Sequence, residues 1–150
     1  MTKIADIKSA VEAKLSGALG SSFARIPNPY ALDENTMLIL RNGYSVAVGS
    51  GTNTNRLINC GTSWEREFVV GIVTQVVTTE NNTTKRESFI QGILDAHRLV
   101  LQAFENDVTL GGLVIEAIVQ GDGGLTYIDQ TRGKFMAMEI SLLVEYLEDL

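Results

Sequence analysis

The sequence predicts an α+β fold: a mainly antiparallel sheet with an N-terminal helix and one long central helix packed on it. Three observations carry this expectation. Apolar residues recur at spacings of three and four in two separate segments. Other segments alternate every second residue, as strands do. The order along the chain is helix, strands, helix, strands. With 150 residues, the chain fits one domain, 1–150, long enough to bury a hydrophobic core.

The first helix rests on Ile4, Ile7, Val11, Leu15 and Ala18, with Thr2 as its N-cap and Gly17 or Gly20 near its end. "SSFARIPNPYAL" follows and holds both prolines, marking a turn-rich connection. "TMLILRNGYSVAV" reads as two short strands around Asn42-Gly43, a pair whose tolerance of positive φ favours a hairpin turn. Ser50–Asn55 reads as a polar loop. "REFVVGIVTQVV" reads as a long strand, apolar on both faces and therefore covered on both. Thr78–Thr84 is a second polar loop. Thr84 and Glu87 have capping-box spacing ahead of a helix running to about Asn106. Its stripe is Phe89, Ile93, Ala96, His97, Val100 and Phe104. "GGLVIEAIVQG", a short "LTYIDQT" and "GKFMAMEISLLVEYL" read as closing strands. In the last, Met136, Met138, Ile140, Leu142, Val144 and Tyr146 share one face, while Glu139, Ser141 and Glu145 share the other.

Composition excludes several function classes. The net charge of −6 is uneven: residues 1–75 carry seven Lys/Arg against six Asp/Glu, and residues 76–150 carry five against twelve. A basic surface able to neutralise phosphates is not expected, which argues against tight nucleic-acid binding. No apolar run approaches the roughly 18–20 residues that cross a bilayer, and the N-terminal residues do not read as a secretory signal. A single cysteine, Cys60, makes neither an intrachain disulfide nor a thiolate metal site alone, and its expected place is structural. Intracellular synthesis is the expectation.

The motif-like stretches do not assemble into a reactive site. Gly49-Ser50-Gly51 follows a strand-like run, as some phosphate loops do. The next residues are Thr52-Asn53-Thr54-Asn55, with no third glycine, no Gly-Lys-Ser/Thr and no opening helix, so no nucleotide site is expected. His97, the sole histidine, sits on an apolar helix stripe, where a packing role is expected. Gly121-Asp122-Gly123-Gly124 lacks the spaced carboxylates of a calcium loop and reads as a turn joining strands. Asn81 and Asn82 lie in sequons that matter only on secretion. Trp64 and Tyr127 are expected in the core, with interface anchoring as the other reading. No catalytic, cofactor-binding or metal-binding residue is assigned.

"NPYALDENTMLILRNGYSVAVG", Asn28 to Gly49, resembles tail terminator proteins of tailed bacteriophages. The mid-chain helix after a polar loop and the closing "RGKFMAMEISLLVEYLEDL" extend the resemblance over most of the chain. It implies a non-enzymatic virion protein without cofactors, assembled in the host bacterial cytoplasm and found in the neck. Its copies would form a ring, usually a hexamer, that caps the tail tube, ends tube polymerisation and joins the tail to the head. The implied partners are further copies of itself, the tail tube protein and the head-completion or connector protein. DNA would pass through without specific binding, and no membrane is involved. The remaining readings are a head-completion or stopper protein of the same neck, and a small oligomeric bacterial enzyme. The resemblance transfers no functional residue. Arg41, Arg56, Trp64 and Arg66 are the candidate contacts between subunits or rings.

Overall fold

A computed structural model describes residues 3–26, 42–58, 61–75, 83–130 and 133–149. It comprises helix α1 (Lys3–Leu19), a 3-10 turn (Gly20–Ser22), a two-residue strand β1 (Ala24–Arg25), strands β2 (Asn42–Ile58) and β3 (Gly61–Gln75), helix α2 (Thr83–Glu105), and strands β4 (Glu116–Gln130) and β5 (Gly133–Asp149). The five strands form one sheet in the order β1-β2-β3-β5-β4. β1 runs parallel to β2; the other neighbours are antiparallel.

The register decides which residues share a face, because side chains directly opposite one another on paired strands point the same way. Val46, Val70 and Ile140 align across β2, β3 and β5, as do Val48, Phe68 and Leu142. These residues share the helix-side face, and all but the exposed Val48 are buried there. Ile7, Val11, Leu15 and Leu19 of α1 and Ala96, Val100 and Phe104 of α2 pack with them into one main core. Burying such side chains contributes about 1.5–3 kcal/mol each. Both helices therefore cover the same side of the sheet, and the two-residue alternation in β5 is realised from Met136 to Tyr146.

Several expectations are corrected. Asn42-Gly43 is not a hairpin turn: both residues are extended and pair with Thr74 and Val73. Gly43 is needed instead for close approach, because a Cβ there would collide with the Ile26 side chain. Ser50–Asn55 is not a free loop but part of β2, which continues through register shifts after Val48 and after Asn53. Gly121–Gly124 does not join two strands. It is an irregularity within the single strand β4, where Gly124 adopts φ 76° and donates its N–H to Asp122 Oδ1 at 2.9 Å. "LTYIDQT" is accordingly the second half of β4. β3 begins at Gly61, five residues before the apolar run at Arg66, because the ladder to β2 and β5 holds polar residues as readily as apolar ones. The central helix is not distinctly long: α2 has 23 residues and α1 has 17.

β3 is covered on both faces over part of its length only. Val73 is buried with Ile26 and Phe135 on the face away from the helices, whereas Val69 is half-buried there. Thr2, Pro27, Pro29, Arg41, Cys60, Asn81 and Asn82 lie outside the described residues, as does Thr78–Asn82 of the second polar loop. Thr83 and Thr84 open α2.

After α2 the chain turns through Asp107–Val114. Leu110, Gly111 and Gly112 all have positive φ, which places one buried leucine in the left-handed region. Asp107 anchors this turn. Its carboxylate accepts the Gly111 N–H at 3.1 Å and pairs with Lys14 Nζ at 2.7 Å, tying α1 to the end of α2. The Lys14 hydrogen bond, followed by that of Gly111, holds the Asp107 pKa below its ordinary value. A depressed carboxyl pKa stabilises the fold above the unfolded-state value and ceases to do so as pH falls through the folded-state value. Lys14→Met is therefore expected to lower Tm slightly at neutral pH. The difference from wild type should shrink through the acidic carboxylate range, as thermal melts across pH would show.

Candidate functional site

The sheet presents two surfaces free of helices among the described residues: the distal half of the β2–β3 hairpin, and the face opposite the helices. Three of the four candidate contact residues gather in the first. Trp64, Glu65 and Arg66 pair with Tyr146, Glu145 and Val144 of β5. Trp64 shares the helix-side face with Tyr146, and is half-buried against the main core.

Arg66 is held within the subunit. Its Nε donates to Tyr146 Oη at 3.2 Å, and its Nη1 donates to the Gly49 carbonyl at 2.9 Å. This explains Gly49-Ser50-Gly51 without a ligand. An ideal Cβ on Gly51 would lie 2.6 Å from the Arg66 guanidinium, and one on Gly49 would lie 2.8 Å from the Glu67 carbonyl oxygen. The glycines let an arginine and a neighbouring strand approach the backbone. They are not placed before a helix N-terminus, so the geometry that cradles phosphate is missing here.

Arg56 lies nearer the hairpin end, with 60% of its side chain exposed, and pairs with Glu145, which also accepts the Ser63 hydroxyl at 2.9 Å. Leu57 beside it is 73% exposed. Arg41 is outside the described residues. The structure thus brings Arg56, Trp64 and Arg66 to one end of the sheet, with different degrees of freedom to meet another molecule.

The second surface was legible only as the polar side of β5. Glu67, Val69, Gln120, Gly121, Glu139 and Ser141 help to line a shallow groove of about 420 Å³. Ser141 Oγ donates to Glu67 Oε2 at 2.8 Å. Among the described residues no cation pairs with Glu67, Glu116 or Glu139, whereas Asp122 faces His97 Nε2 at 3.3 Å. His97 is thus half-buried with one nitrogen partnered by a carboxylate. Tyr127, expected in the core, is 44% exposed: it lies at the far end of the edge strand β4, where only β5 flanks it.

Among the described residues, no group of three or more His, Cys, Asp or Glu side chains is placed to hold a metal ion, and no helix is long and apolar enough to cross a membrane. Among the described residues, the two surfaces offer hydrogen-bonding and charged groups.

No protein-family model matches the chain, and no curated protein matches it. Among solved structures, it aligns with a chain of a structure described as "Virion of native gene transfer agent (GTA) particle". The alignment covers 94% of each chain at 12% identity, with a TM-score of 0.35. A TM-score of that size does not establish a shared fold.

Proposed function

We propose that the chain is a structural subunit of a tailed-phage-type particle: a tail terminator that forms a ring on the head-proximal end of the tail tube, ends tube growth and joins tail to head. The sequence resemblance supplies this reading. The observation that carries it is the shape of the subunit. Both helices cover one face of the sheet; among the described residues, β2 has only the two-residue β1 beyond it and β4 has no strand beyond it. Such a subunit has its main core satisfied internally and, among the described residues, leaves stretches of edge and part of its second face uncovered. The ring is proposed to be hexameric, and its partners are the tail tube below and the head-completion protein above. The role is non-enzymatic. The acidic surface suits a passage along which DNA slides, because negative walls repel phosphates.

The test uses tailed particles from the bacterium that produces this protein, probed with gold-labelled antibody to the chain. Label is expected at the head-proximal end of the tail and on head-free tails. Label on tail-free heads but never on free tails would replace the terminator by a head-completion protein. Absence of the chain from purified particles, checked by mass spectrometry, would remove the virion reading.

A further inference from the structure

The two sides of the sheet carry opposite charge. At one side lie α1 and β1: residues 3–26 hold four Lys/Arg against two Asp/Glu, net +2. At the other lie β4 and β5: residues 116–149 hold two Lys/Arg against seven Asp/Glu, net −5. The strand order β1-β2-β3-β5-β4 places β1 and β4 at opposite ends of the ladder, and the Arg25–Glu12 pair holds the Lys8–Glu12 turn of α1 on the β1 side, whereas Lys14 is paired with Asp107.

The local arrangement sharpens the polarity. On the basic side, Glu12 sits between Arg25 and Lys8, so two cations share one carboxylate. The Arg25 side chain remains half exposed. On the acidic side, Glu116 and Glu139 are exposed and have no described cation beside them.

The heights also agree. Arg25 aligns with Tyr44, Tyr44 with Ile72, Ile72 with Met138, and Met138 with Leu125. Glu139 follows Met138, and Asp122 pairs with Ile140. The Lys8–Arg25 cations and the Asp122–Glu139 carboxylates therefore lie within a few rungs of each other on opposite margins. A rotation about an axis running along the strands brings one margin onto the other at that common height.

We propose that copies of this chain associate head to tail, the basic α1–β1 margin of one meeting the acidic β4–β5 margin of the next. This inference rests on the ring reading and names its contact. Opposite margins of one subunit give a heterologous interface, the kind that closes into a ring when the rotation matches. A two-fold contact would instead set like charge against like, which complementary potentials disfavour. The bound occupant of each margin is thus a second copy, and the attraction weakens as salt screens it.

Two variants test the pairing. One carries Lys8→Glu and Arg25→Glu; the other carries Asp122→Lys and Glu139→Lys, at the height of Arg25. Each alone opposes like charges at every head-to-tail contact. Mixed one to one, they restore a complementary contact on both sides of every subunit. Native mass spectrometry should find the wild type in closed oligomers, each variant mostly monomeric, and the mixture in oligomers with an even number of copies containing both variants equally. Oligomers formed as readily by either variant alone would overturn the proposed margins and leave the ring reading standing. A mixture that stays monomeric would also overturn the margins. A wild type that never self-associates, alone or with tail tubes, would overturn the ring and this contact together. If a variant does not fold, Arg25→Cys with Asp122→Cys in a Cys60→Ser chain decides: oxidation should yield a ladder of linked copies, and its absence counts against the contact.

Discussion

Phe104→Ala is expected to destabilise the fold by about 3–5 kcal/mol, the cost of emptying a buried aromatic site. Phe104 stands in the last turn of α2, 1% exposed, and belongs to the main core with Val100, Ala117 and Val144. A small groove of about 120 Å³ already runs past it, between Glu105, Val108 and Val119. The hole left by the ring would therefore join an existing gap rather than close. Leu99→Ala provides the comparison on the same helix: Leu99 is 38% exposed, and its removal should cost much less. Urea unfolding of both variants measures the difference. Equal losses would mean that α2 presents another face to the sheet.

Gly49→Ala is expected to cost roughly 1–3 kcal/mol, the range for forcing extra atoms into an occupied site. The new methyl would meet the Glu67 carbonyl oxygen at 2.8 Å, and that oxygen belongs to the central strand β3, which cannot rotate aside like a side chain. Moving Gly49 away would also disturb the carbonyl that accepts Arg66 Nη1. Gly123→Ala is the control, because no heavy atom lies within 4 Å of a Cβ there and its φ is not positive. A melt in which the two alanine variants behave alike would show that β2 does not approach β3 closely at Gly49.

Periodicity located both helices and the face of β5, because spacing of apolar residues directly reflects which side of an element is dry. Ile7, Val11 and Leu15 in α1, and Ile93, Ala96, Val100 and Phe104 in α2, are buried as that logic requires. The errors of turn and loop placement fall on glycine-containing stretches. Gly43, Gly49, Gly51 and Gly124 all suggested turns or loops, but each is inside a strand. Glycine serves a tight turn and a close backbone approach equally well, and only the neighbour across the sheet separates the two uses. That neighbour is Ile26 for Gly43, Glu67 for Gly49 and Arg66 for Gly51.

The candidate contacts were legible unequally for the same reason. Nothing in the sequence around Arg66 foretells Tyr146 Oη, 80 residues away, as its partner. The grouping of Glu67 with Glu139 and Ser141 likewise depends on β3–β5 register, which alternation within one strand does not supply.

β2 slips register beyond Val48, opposite Phe68, and β4 slips beyond Val119, opposite Leu142; Phe68 and Leu142 are themselves partners. Both outer strands are thus broken at the same rung. An outer strand with an unbroken run of free N–H and C=O groups is a template on which further chains stack into fibres, and bulges spoil that template. Under the proposed role, the subunit has to remain dispersed until it meets the tail tube. Among the described residues, the paired breaks make open-ended strand addition along β2 or β4 a poor fit, so resistance to fibrillation is built into the same strands that hold the core.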